Sequence, residues 1–124
     1  MITENYVSFE IAKLLKEKGF NEKLLTFYLT AEGKKEGYFQ IMTFTDDKID
    51  NNHSDYCYLA PTLQMAMKWL REVHNIDVSI IPIRSHKEYL PRIESDTISH
   101  DAIPCRKYEE ACEAAIKYTL ENLI

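Results

Sequence analysis

The sequence predicts a single α+β domain over residues 1–124, with about four mostly antiparallel strands as two hairpins and three helices, in the order αββαββα. Three observations predict it. Apolar residues recur at helical spacing in three separate stretches, and two pairs of short β-rich runs lie between them. Each pair reads as an antiparallel hairpin, with few crossovers, and that pattern belongs to α+β architecture. The composition supports a packed core: 45% hydrophobic and 28% charged residues, with 3 Gly and 4 Pro, exclude a disordered tail, a collagen-like fibre and a low-complexity linker. A chain of 124 residues buries roughly two-thirds of its unfolded surface without staples.

The first helix starts after Ser8, a good N-cap residue, and runs from Phe9 to Lys18. Ile11, Leu14 and Leu15 repeat at helical spacing, with Glu10, Lys13, Lys16 and Glu17 on the other side. Gly19 supplies the left-handed residue that closes a helix, and Phe20 sits where a Schellman motif places its hydrophobic contact. The runs Leu24–Leu29 and Tyr38–Phe44, joined by the polar Glu32–Gly37, read as the first hairpin. Thr45 to Asp55 is the most polar part of the chain and reads as a loop.

Ala60-Pro61-Thr62 announces the second helix, which runs from Leu63 to His74 with Asn75 as its stop. At about 100° per residue, Gln64, Lys68, Arg71, Glu72 and Asn75 gather in a narrow polar arc. The remaining apolar arc spans roughly 200°, about twice a one-sided stripe, and predicts contact on two sides. Val78–Ile83 and His86–Ile93 form the second hairpin, with Pro82 marking an edge strand or a strand end. A polar loop from Glu94 to Pro104 leads to the last helix, Tyr108–Leu120, with Glu109 and Glu110 in its first turn and a core stripe of Cys112, Ile116, Leu120 and Leu123. Ala66-Met67-Lys68-Trp69 and Ala115-Ile116-Lys117-Tyr118 invite a reading of the two ββα halves as a duplication.

The net charge of −5 removes the simplest electrostatic case for a nucleic-acid binder. Charges are evenly spread, with seven lysines up to Thr62 and eight basic residues after it. No apolar run approaches the about 18 residues of a membrane span, and the first residues carry no signal-peptide pattern, so no membrane association is expected. Cys57, Cys105 and Cys112 are an odd set at unremarkable spacings, which favours reduced thiols and a cytoplasmic location.

The run Tyr58–Met65, continuing through Lys68–His74, resembles a segment in small accessory proteins of phages, prophages and other mobile elements. So do Val7–Leu15 with Gly19-Phe20, and the closing Tyr108-Glu109-Glu110-Ala111; the loops at 45–57 and 94–105 lie outside the likeness. The resemblance implies an accessory protein of mobile-element origin and assigns no catalytic residue.

Candidate chemistry is sparse. His53 with Cys57, or His100 with Cys105, joined by His86, lacks the short paired spacings of a zinc site, so no metal is expected. Asp50-x-Asn52-x-Ser54 imitates the start of an EF-hand loop, but Asp55 stands at its glycine position and Pro61 at its bidentate glutamate. Cys112 reads as core, and Cys57 is the better thiol nucleophile but has no companion motif. No phosphate loop, nucleotide fingerprint or nucleophile elbow occurs, so no cofactor and no catalytic residue are expected.

The expected function is a non-catalytic module that binds a protein partner or itself, through a surface of Met65, Trp69, Tyr56 and Tyr58, since Trp, Tyr and Met are enriched where interfaces carry their energy. The alternative is a small nucleic-acid-binding regulator using Arg84, Lys87, Tyr89 and Arg92, in which basic groups flank an aromatic ring. An enzyme ranks third and requires a pocket that joins Cys57 or a histidine to a base.

Overall fold

A computed structural model describes residues 2–31, 36–41, 49, 51 and 55–124. Along these residues run α1 (Phe9–Glu17), β1 (Thr26–Leu29), β2 (Tyr38–Ile41), β3 (Cys57–Leu59), α2 (Leu63–His74), β4 (Asp77–Ile83), β5 (Glu88–Glu94), β6 (Ser99–Asp101) and α3 (Tyr108–Asn122). The α+β class and the antiparallel pairing agree with the sequence reading. The strand number does not: six described strands form two three-stranded sheets, ordered β2-β1-β3 and β4-β5-β6, where four strands were expected. The two additional strands are three residues each, and Ser99-His100-Asp101 carries no apolar side chain. Neither is long enough to display an alternation. Both owe their pairing to a partner strand: β3 to β1, and β6 to β5.

The chain divides into two compact units, one of Tyr6–Thr62 and the other of Met1–Asn5 with Leu63–Ile124. In the first, the Ser8 hydroxyl accepts from the Ile11 N–H at 3.3 Å and caps α1. The helix ends as its residues dictate. Gly19 takes φ 90°, its N–H donates to the Lys16 carbonyl, and the Phe20 N–H donates to the Leu15 carbonyl, which is the Schellman pair. The α1 helix packs on β3, with Ile11, Ala12 and Leu15 buried. The unit closes on itself where Tyr6 bridges Thr62 and the Val7 N–H donates to the Pro61 carbonyl. Of the expected polar loop, Ile49 and Asn51 are buried anchors; Met42–Phe44 of the expected strand and most of the loop lie outside the described residues.

In the second unit, α3 packs on β4 and β5, and α2 packs on β4 and α3. Ile76, Ile93 and Ala115 form a buried cluster, with Val78, Tyr118 and Leu123 against it. Asn75 stops α2 in the left-handed region at φ 56°. Pro82 pairs with Tyr89, whose backbone bonds to Cys105 on the opposite side of β5; the missing Pro82 donor therefore faces the open edge of β4, as the sequence predicts. Central strands differ between the units, β1 being the first strand of its sheet and β5 the second of its own, so the two are not topological copies.

Candidate functional site

The two edges of the first sheet are treated differently. On β1, the Thr30 N–H donates to the Tyr56 carbonyl, and the Thr26 carbonyl accepts from the Ala60 N–H. Even-numbered residues of β1 thus direct their backbone toward β3, and Phe27 and Leu29 direct theirs toward β2. The same alternation leaves the backbone of Cys57 and Leu59 on the outer edge of β3. That edge is closed by side chains: Asn51 Oδ1 accepts from the Leu59 N–H at 2.9 Å, and Lys16 Nζ donates to the Cys57 carbonyl at 2.8 Å. Asn51 is itself anchored, donating through Nδ2 to the Phe20 carbonyl and through its backbone N–H to Asn21 Oδ1.

The β2 edge has no such closure among the described residues. Gln40 and Tyr38 pair with Phe27 and Leu29, so the backbone groups of Phe39 and Ile41 face outward. All four β2 residues are exposed, Tyr38 at 70% and Ile41 at 53%, and Leu29 beside them stands at 45%. The strand Tyr38-Phe39-Gln40-Ile41 carries no charge, no proline and no bulge, three of the devices that protect an edge.

One face of this sheet is held by an aromatic cluster. Phe9 lies 5.5 Å from Tyr28 and 5.4 Å from Tyr58 between ring centroids, and Phe39 lies 4.9 Å from Tyr6 and 5.5 Å from Tyr28. Lys13 and Lys16 place their ammonium groups over the Phe9 and Tyr58 rings. The Tyr28 hydroxyl donates to the Val7 carbonyl at 2.6 Å. This cluster fixes Phe39 from within and leaves its backbone outward.

The residues expected to form an interaction surface are placed as follows. Tyr58 is half-buried in the aromatic cluster, and Tyr56 is exposed at 42%; both belong to the first unit. Met65 and Trp69 belong to the second. Met65 is exposed at 38%, but Trp69 is only 6% exposed and meets His74 edge-on at 4.7 Å. The buried face of α2 comprises Leu63, Ala66, Met67, Trp69 and Leu70, so the apolar arc is wider than the face it buries, with Val73 at 57% exposure.

The basic stretch is split. Arg84, Lys87 and Tyr89 line one open groove of about 430 Å³ at the β4–β5 turn, together with Pro82, Ile83, Glu88 and Arg106. Arg92 lies elsewhere: strand alternation puts it on the opposite face from Tyr89, where it forks onto Asp101 at 2.8 and 3.1 Å. That bond and charge hold the Asp101 carboxyl below its ordinary range and raise the Arg92 guanidinium. Arg106 was not anticipated. It reaches the groove because Tyr89 and Cys105 exchange backbone bonds of 2.7 and 2.9 Å, a pairing no local signal announces.

The three thiols differ in burial. Cys57 and Cys112 are buried and Cys105 half-buried, none in a disulfide. Burial pushes the Cys57 thiol up despite the nearby Lys16, and pushes Cys112 up to about 11. Burial raises Cys105 too, helped by Glu110 and Glu88. A nucleophile needs the opposite shift. Among the described residues no three His, Cys, Asp or Glu side chains are placed to hold a metal ion; His53 and the Asp50, Asn52 and Ser54 positions lie outside those residues. No helix among them is long and apolar enough to cross a membrane.

Comparison with protein-family models, with curated proteins and with solved structures gives no match to this chain.

Proposed function

We propose that the protein is a non-catalytic binding module that associates by strand addition at the outer edge of β2, and that a second copy of the chain is the occupant. The observation that carries this reading is the contrast between the two edges of one sheet: β3 is closed by Asn51 and Lys16, while β2 presents the backbone of Phe39 and Ile41 with exposed, uncharged side chains. An exposed strand edge of this kind recruits another strand through main-chain hydrogen bonds, with side chains supplying the specificity. The β2 strand is complementary to itself. An antiparallel twofold centred on Gln40 places Phe39 opposite Ile41 of the second copy as a hydrogen-bonded pair, and its symmetry mate repeats the exchange. Aromatic and β-branched residues opposite each other contribute about 0.2–1 kcal/mol per pair beyond the backbone bonds. An accessory role fits the mobile-element resemblance, and three thiols without a disulfide suit the cytoplasm.

The test is light scattering after size-exclusion chromatography. The wild type is expected at twice the 14.6 kDa of the chain. Ile41→Pro removes an N–H that the β1 ladder does not use, so this variant is expected to run as a single chain with an unchanged circular-dichroism spectrum. A wild type that stays monomeric at every accessible concentration, or a proline variant that dimerises equally well, overturns the proposal.

A further inference from the structure

From the second unit we infer a separate binding site: the groove at the β4–β5 turn takes single-stranded nucleic acid, with Arg84, Lys87 and Arg106 on phosphates and Tyr89 against a base. Three observations converge. The first is chemical. The groove of about 430 Å³ is lined by three cations and one carboxylate, Glu88, around a half-exposed tyrosine, and it carries a net charge of +2 on an otherwise acidic protein. Basic groups that track a backbone beside an aromatic ring on which a base stacks are the recurrent solution for single strands.

The second is the state of the cations. Among the described residues, none of Arg84, Lys87 and Arg106 is ion-paired, whereas Arg92, five residues past Lys87 on the other face, is neutralised by a bidentate carboxylate. Cations left unpaired around a concave surface are available to a polyanion. The third is conformational. Lys87 closes the turn at φ 53°, in the left-handed region that favours glycine or asparagine. A lysine held there is a backbone outlier at the rim of the groove, and such outliers gather where a side chain is needed in place. The Tyr89–Cys105 pairing adds rigidity, because it fixes the segment carrying Arg106 against the hairpin.

Lys87→Gly separates function from folding. It removes a cation and relieves the left-handed strain, so its melting temperature is expected not to fall, while its affinity for a fluorescent oligothymidylate drops about fivefold in fluorescence anisotropy at low salt. Arg106→Ala is expected to weaken binding to a similar degree, and Arg92→Ala to leave it unchanged. Tyr89→Leu is expected to weaken oligothymidylate binding while sparing inorganic polyphosphate, which has no base to stack. Absence of oligothymidylate binding by the wild type overturns the inference. So does equal loss in the Arg92 variant, or binding that the Lys87 and Arg106 variants leave intact. These outcomes are read as oligonucleotide affinity and the β2 proposal is read as the mass of the assembly, so failure of one is distinguishable from failure of the other.

Discussion

Gly37 shows how one residue sets the aromatic face of the first sheet. A methyl group there would stand 2.6 Å from both Cδ1 and Cε1 of Phe9, closer than carbon atoms approach. The ring has little freedom to yield, with Tyr28 and Tyr58 on its other sides and the Lys13 ammonium over it. Gly37→Ala is therefore expected to cost about 1–3 kcal/mol, the usual range for overpacking. In thermal unfolding that is a fall in Tm of several degrees. Phe9→Leu in the same chain opens the space, so the double variant is expected to be more stable than the sum of the two single effects. Strict additivity in urea titrations would show that Phe9 does not hold Gly37 in place. Gly37 leads directly into Tyr38, so this contact with the helix-borne ring lies at the start of β2.

Among elements, β3 depends on residues far from it in the chain. Asn51 accepts from the Leu59 N–H and donates to the Phe20 carbonyl, both buried hydrogen bonds. Asn51→Ala strands a donor and an acceptor, each costing about 1–3 kcal/mol when left unsatisfied, so a total loss near 3 kcal/mol is expected in denaturant unfolding. Amide exchange gives the more specific readout: Leu59 is expected to lose protection earlier than Phe27 or Leu29, which β2 also pairs. Equal acceleration across the sheet would contradict this account. The dependence also explains what was legible in the sequence. All three helices could be read because their spacing is local and, for α1, Ser8 and Gly19 mark its ends. The β4–β5 hairpin brought Arg84, Lys87 and Tyr89 together by adjacency. By contrast β3, β6 and Arg106 take their places from strand partners distant in the chain, and whether β2 is an edge or a centre is a property of strand order that no single segment carries. Residue type leaves Trp69 open between a core filler and an interface anchor, and its place on the buried face of α2 comes from tertiary packing.

At the scale of the whole molecule, charge gives the two binding readings opposite salt dependences. Residues 6–62 carry nine Asp and Glu against seven Lys, and the rest of the chain carries eleven against eight Lys and Arg, so both units are acidic and the chain has a net charge of −5. Two such chains repel as they approach, while the β2 edge proposed to join them is uncharged and would gain nothing from electrostatics. Raising salt shortens the Debye length to about 10 Å at 0.1 M and screens that repulsion, so the dimer is expected to tighten, or at least not weaken, between about 0.05 and 0.5 M salt. Oligonucleotide binding runs the other way. Three cations in the groove displace counterions from a single strand with a slope of roughly −2 in log affinity against log salt, which predicts about a hundredfold weakening over the same range. Lys87→Gly is expected to flatten the slope by about 0.7. Light scattering and fluorescence anisotropy across one salt series measure both quantities on the same protein. A dimer that dissociates as salt rises would mean that charged groups outside β2 hold it together, and oligonucleotide affinity indifferent to salt would remove Arg84, Lys87 and Arg106 as its phosphate contacts.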